Sequence, residues 1–182
     1  MKRAPSTLKL VPPLNEHSIG LEARAGADDH MALRVWLRLL SCSTQIENEI
    51  RKRLRTRFGM TLSRFDYLAQ LHRHPKGLRM NALSRNLMVT GGSVTGLTDE
   101  LEKDGLVVRG PSPDDRRSFL LCLTGEGRRV FERIAAEHET WVIEFFSDMR
   151  LTERKAFYGL LGSIRANMAA RQAQANIDSE EP

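Results

Sequence analysis

The stretch Thr90-Gly91-Gly92-Ser93-Val94-Thr95-Gly96-Leu97-Thr98-Asp99-Glu100-Leu101-Glu102-Lys103-Asp104-Gly105-Leu106-Val107-Val108-Arg109 changes its period partway along. Val94, Leu97 and Leu101 recur at steps of three and four, the spacing of one helix face. This predicts a helix over Ser93–Asp104, entered through a polar turn at Thr90–Ser93 and stopped by Asp104-Gly105. Leu106-Val107-Val108-Arg109 then reads as a strand. Gly110-Pro111-Ser112-Pro113-Asp114-Asp115 is turn chemistry, and Ser118 to Leu123 is the returning strand. Arg116 and Arg117 sit at the return, so the hairpin has a basic tip.

Upstream, Arg79–Leu87 forms a short helix holding Met80, Leu83 and Leu87, with Asn81 as its cap. Before it, Thr61 or Ser63 caps a helix carrying Phe65, Leu68 and Leu71, closed by Pro75 and Gly77. Asp28 and Asp29 open a longer helix with Trp36, Leu39, Leu40, Ser43, Ile46, Ile50 and Leu54 on one face, ended at Gly59. Downstream, Thr124 caps a fifth helix with Val130, Ile134, Trp141, Val142 and Phe145 on its apolar side. A sixth follows Leu151-Thr152, with Phe157, Leu160, Leu161, Ile164 and Met168 as its stripe. The fold class is mainly α, with a two-stranded β hairpin. The expected divisions are an N-terminal arm at 1–27, a first helix at 28–58, a central domain at 59–123, paired helices at 124–172 and a flexible tail at 173–182.

The order helix, turn, helix, hairpin suits duplex DNA. A major groove admits one helix, whose N-terminal residues reach base edges. A hairpin beside it can drop an arginine into the more negative minor groove. Charge points the same way. The whole chain has 28 basic and 23 acidic side chains, yet residues 51–130 hold 16 against 8, leaving 12 against 15 elsewhere. All the positive excess is central, where a polyanion would be met.

Other classes are disfavoured. The apolar runs are only a few residues long, too short to span a membrane. Lys2 and Arg3 are followed by Ala4-Pro5-Ser6-Thr7 and Pro12-Pro13, which provide no apolar core for an export signal. Two cysteines, Cys42 and Cys122, suit a reducing cytoplasm. Gly91-Gly92-Ser93-Val94-Thr95-Gly96 lacks the Gly-Lys-Ser/Thr ending of a phosphate loop. His72 and His74 are two apart on a helix and face different ways, so no metal is expected. No nucleophile–base set is visible, so the chain is read as a non-enzyme without a cofactor.

Five segments together resemble the MarR family of winged helix-turn-helix transcriptional regulators. They are Leu83-Ser84-Arg85-Asn86-Leu87, Val94-Thr95-Gly96-Leu97, Leu101-Glu102-Lys103-Asp104-Gly105-Leu106-Val107, Asp114-Asp115-Arg116-Arg117 and Leu123-Thr124-Gly125-Glu126-Gly127. The resemblance covers roughly residues 30–170. It implies a homodimer joined through the first, fifth and sixth helices, on a near-palindromic operator with recognition helices about one DNA turn apart. The alternative is that Trp141, Phe157 and their neighbours form only an intrasubunit core.

By the same resemblance Arg117 reads the minor groove and Asp115, two positions earlier, braces it. Arg116 is either a phosphate contact or a free surface cation. Ser93, Thr95 and Thr98 can donate to phosphates or base edges, with Arg85 adding affinity. Gly91 and Gly92 either permit close backbone approach or serve turn geometry alone. Many family members carry a basic residue where this chain has Gly96, so the only cation on the recognition helix is Lys103.

Family members often bind small aromatic acids between the dimerisation helices and the winged domain, which alters the spacing of the recognition helices. Trp36, Phe65 and Trp141 supply an apolar lining here, and His30, Arg34 and Arg38 could meet an anion. Arg34 and Arg38 are four apart and share a face, suited to carboxylate or phosphate. Alternatively they are solvated or pair with Glu137 or Glu139.

Trp36-Leu37-Arg38-Leu39-Leu40-Ser41-Cys42-Ser43-Thr44, with Val94-Thr95-Gly96-Leu97, is similar to the subgroup governing hydroxycinnamate (p-coumarate/ferulate) breakdown. In that subgroup the effector is an aromatic acyl-CoA thioester, which implies a repressor of aromatic-acid catabolism released by a ligand such as p-coumaroyl-CoA. The alternatives are a free aromatic acid or oxidant sensing through Cys42, as in some family members. Cys42 itself is expected to be a packed small residue, and Cys122 a core one.

Overall fold

The computed structural model describes residues 31–111 and 119–180. The 1–27 arm, the Asp28-Asp29 cap and His30 lie outside them. The elements run α1 (Met31–Phe58), α2 (Leu62–Arg73), β1 (Leu78–Arg79), α3 (Met80–Leu87), α4 (Gly91–Lys103), β2 (Val107–Pro111), β3 (Phe119–Leu123), α5 (Gly125–Phe145) and α6 (Leu151–Glu180). The chain divides into two compact units, the boundary falling between Arg128 and Arg129.

In the first unit, α1 is stiffened by ion pairs one turn apart, Glu47 with Arg51 and Glu49 with Arg53, the latter at 2.8 Å. It closes at Gly59, whose φ of +61° lets Gly59 N–H reach Arg55 O and Met60 N–H reach Leu54 O. Thr61 caps α2 by accepting from Arg64 N–H. The core is Leu54, Tyr67, Leu68, Leu71, Leu83, Val94, Leu101, Val107 and Leu121, all essentially removed from solvent. Only Ile50 and Leu54 of the α1 stripe are buried; Trp36 and Leu40 stay exposed on this chain.

The sheet has three antiparallel strands in the order β1-β3-β2, where the sequence predicts two. Leu78 pairs with Leu121, and Arg109 faces Leu121 from the other side. The extra strand is two residues long, too short to show a period of two. It lies where Gly77 turns at φ +91°, and a Cβ there would come within 2.6 Å of Cys122 Sγ. Arg79 therefore belongs to β1 and serves as the N-cap of α3 without a side-chain bond, so Asn81 is not the cap.

Thr124 joins the sheet to α5. Its hydroxyl donates to Gly105 O at 2.7 Å and accepts from Gly127 N–H at 2.9 Å, while its own N–H reaches Leu106 O. A Cβ on Gly127 would lie 1.9 Å from Leu106 O, so only glycine permits this approach.

In the second unit Phe131, Ile134 and Trp141 are buried. Trp141 stands edge-on to His138, with ring centroids 6.2 Å apart. Glu153 caps the entry to α6 by accepting from Arg150 N–H at 2.8 Å. The helix continues to Glu180, past Arg171, where a flexible tail is expected from sequence. Leu160, Ile164 and Met168 are exposed along it. No helix among the described residues is long and apolar enough to cross a membrane.

Candidate nucleic-acid interface

The turn between α3 and α4 is fixed by its own polar groups. Met88 adopts the left-handed conformation, φ 54° and ψ 37°, and its N–H closes α3 onto Arg85 O and Ser84 O. Val89 N–H reaches Ser84 O, and Ser84 Oγ donates to Val89 O at 2.6 Å. A residue other than Gly, Asn or Asp pays about 1–2 kcal/mol for this backbone. Thr90 then caps α4, its hydroxyl accepting from Ser93 N–H at 3.4 Å and lying 3.0 Å from Ser93 Oγ. The helix starts at Gly91, two residues before the predicted Ser93, so Gly91 and Gly92 are its first turn rather than a loop.

One face of α4 packs inward through Val94, Thr98 and Leu101. Thr98 is fully buried, which removes it from the DNA-contacting set expected from sequence. Its hydroxyl donates to Val94 O at 2.7 Å and lies 2.6 Å from the phenol of Tyr67 on α2. A threonine hydroxyl has one proton, so the phenol is the donor to Thr98. Burial pushes the Tyr67 pKa up to about 12, so the phenol keeps that proton.

The opposite face holds Gly92, Ser93, Thr95, Gly96, Asp99, Glu100 and Lys103, all exposed. It is nearly bare. A Cβ on Gly91, Gly92 or Gly96 would meet nothing, and none of the three has a positive φ. Neither packing nor backbone geometry asks for glycine there, although Gly96 costs about 1 kcal/mol against Ala in a helix. Thr95 Oγ1 donates back to Gly91 O at 3.1 Å, which leaves its lone pairs and methyl outward. Arg85 is exposed on α3.

Of the three carboxylates on α4 that would repel a polyanion, a strand residue neutralises two, Asp99 and Glu102, while Glu100 is exposed. Arg109 on β2 pairs with Asp99 and, at 2.5 Å, with Glu102, whose other oxygen accepts from Arg109 N–H at 3.2 Å. The bond to Asp99 holds the Arg109 pKa above its ordinary value. At the far end, Arg64 on α2 pairs with Asp104, the C-cap residue of α4. Tyr67 and Met88 do not figure in the sequence reading, and Arg109 figures there only as the end of a strand. The signal for Met88 was available: no glycine lies between α3 and Thr90, so another residue has to take the left-handed turn. Arg109 and its partners are non-local and leave no pattern.

Asp115, Arg116 and Arg117 lie outside the described residues. Of the expected ligand residues, Arg34, Trp36 and Arg38 are on α1, with Arg34 half-buried and the other two exposed. Phe65 is buried on α2 and Trp141 on α5. A cleft of about 370 Å³ is lined by Arg51, Lys52, Arg55, Thr56, Thr61 and Leu62. Another of about 330 Å³ is lined by Val142, Ile143, Phe146, Arg154, Phe157, Tyr158 and Leu161. Neither is lined by any of those five. Cys42 is exposed rather than packed, and Cys122 is half-buried. Among the described residues no group of three metal-ligating side chains gathers.

Comparison with known proteins places this arrangement. The model of the MarR family matches residues 58–118. The transcriptional activatory protein BadR of Rhodopseudomonas palustris is 31% identical over 119 residues, 64% of this chain and 67% of BadR. A MarR family regulator from Silicibacter pomeroyi is 30% identical, covering 78% of this chain and 99% of its own, with a TM-score of 0.65. Sco3205, a MarR family regulator from Streptomyces coelicolor solved in complex with DNA, is 26% identical with a TM-score of 0.66, over 78% of this chain and 89% of its own. CouR from Rhodococcus jostii, solved with p-coumaroyl-CoA, shares the fold at 24% identity and a TM-score of 0.64, over 75% and 95% of the two chains. With a 30% identical relative covered almost end to end, the chain belongs to the MarR family, whose members are transcriptional regulators and not enzymes.

Proposed function

We propose that the chain is a homodimeric, ligand-responsive DNA-binding regulator that blocks transcription and is released by an aromatic acyl-CoA thioester. The bare outward face of α4 carries the DNA-binding part. Glycines that neither the fold nor the backbone requires make sense where a duplex must approach the helix closely. Arg85, Gly92, Ser93 and Thr95 meet the duplex from the two helices, and Arg116 and Arg117, braced by Asp115, meet it from the wing. Binding of Sco3205 to DNA supports this reading.

A second copy of the chain covers the apolar residues that α6 and the first half of α1 leave exposed, among them Leu160, Ile164, Met168 and Trp36. The effector meets α1 through Arg34 and Arg38, four residues apart. The fold neighbour holding p-coumaroyl-CoA makes that thioester the first probe. The protein works in the cytoplasm with free thiols. The exposure of Cys42 favours a second reading, release by oxidants through that thiol.

Fluorescence anisotropy on duplex from the region upstream of its own gene tests the proposal, with p-coumaroyl-CoA, the free acid and CoA added in turn. Release by the thioester alone is expected. Specific binding that none of the three disturbs would discard the effector, and peroxide with a Cys42→Ser control would follow. Absence of specific binding would discard the whole reading.

A further inference from the structure

Met88 is the one described residue other than glycine with a positive φ, and its side chain is 93% exposed. Val89 beside it is also exposed. The left-handed turn itself is better served by Gly or Asn. The bonds that lock the turn use only backbone atoms and the Ser84 hydroxyl, so the thioether contributes nothing to them. An apolar side chain is thus held out in water, on a backbone that disfavours it, with no packing among the described residues to account for it.

Its place gives it an occupant. Met88 and Val89 immediately precede the Thr90 cap, and the next two residues, Gly91 and Gly92, have no side chains. The leading edge of α4 is therefore apolar and bulky at Met88–Val89, passes the exposed Thr90 cap, and is then bare at Gly91 and Gly92. Arg85 is exposed on the helix just before, and the amino end of α4 carries partial positive charge, so the surroundings suit a polyanion. Within the major groove thymine alone presents an apolar group, its C5-methyl. Resting on the DNA-binding reading above, we infer that Met88 is a specificity-determining residue that packs on a thymine methyl in each half-site. A long, unbranched, polarisable side chain suits that contact, because it can follow the groove without a fixed shape.

The test removes each side of the contact separately. Duplexes are enriched from a random pool with the wild-type protein, and each thymine of the selected site is then replaced singly by deoxyuridine, which lacks only the methyl. One thymine per half-site should lose roughly four-fold in affinity, the worth of one buried methyl group. Met88→Asn and Met88→Gly should bind thymine and uracil versions of that position equally. Both variants relieve the turn, so their melting temperatures should equal or exceed the wild type. Wild-type protein indifferent to every thymine methyl would overturn the inference, as would variants that keep the wild-type dependence. Failure of the wild type to enrich any duplex would instead overturn DNA binding itself, and this contact with it.

Discussion

The hydroxyls of Tyr67 and Thr98 meet at 2.6 Å inside the core and tie α2 to the recognition helix. Thr98 lies next to exposed Asp99, yet it points the opposite way, into a site with no solvent access. The pair fixes the roll of α4 and so decides which residues it shows outward.

Thr98→Val should therefore act on stability, because it strands the buried phenol without its acceptor. The expected loss is about 1–3 kcal/mol. Tyr67→Phe should cost less, about 0.5–1.5 kcal/mol, since Thr98 still donates to Val94 O. The double variant should be more stable than the sum of the two losses implies. Urea denaturation of the four proteins measures this, and strict additivity would deny the pair.

Gly96→Ala should separate folding from recognition. The new Cβ meets nothing within the chain, so stability should rise by about 0.5–1 kcal/mol. Duplex affinity should fall, because the methyl stands on the face the groove approaches. Thermal melts and anisotropy read the two effects, and a gain in both would remove the close-approach argument.

Arg109→Met should weaken duplex binding by about ten-fold, since Asp99 and Glu102 would then face the phosphates unopposed. The pair is partly solvated, so fold stability should change by less than about 1 kcal/mol. Adding Asp99→Asn should recover part of the affinity. Recovery would not occur if Arg109 itself touched a phosphate.

Acid should loosen the second unit. Burial holds the His138 imidazole below its ordinary value of 6.5. The unfolded chain therefore binds more protons below 6.5, and stability is complete above that value and lost as pH falls toward the folded one. The melting temperature should drop between about pH 7.5 and about pH 5.5. His138→Gln should flatten that drop, and an unchanged slope in the variant would assign it to other groups.

Much of the fold was legible because period alone reports it. Val94, Leu97 and Leu101 give the helix, and Leu106-Val107-Val108 gives the strand after it. The same rule held the answer for Thr98, four residues after Val94 and three before Leu101, but its hydroxyl suggested a surface. β1 escaped because two residues cannot show an alternation, and its place depends on Leu121, over forty positions away. Cys42 was expected to pack because it borders an apolar stripe, yet among the described residues it is exposed, as are Trp36 and Leu40 beside it on α1. The Arg109 contacts depend on a strand folding back across a helix, which no local pattern records.

The Thr124 junction has a mechanical consequence. Its hydroxyl holds Gly105 O and Gly127 N–H at once, while Gly127 lies flat against the carbonyl of Leu106. No slack remains between the start of β2 and the first turn of α5, so the two behave as one welded joint. A twist entering that turn is delivered to the root of the hairpin instead of being absorbed by a loop.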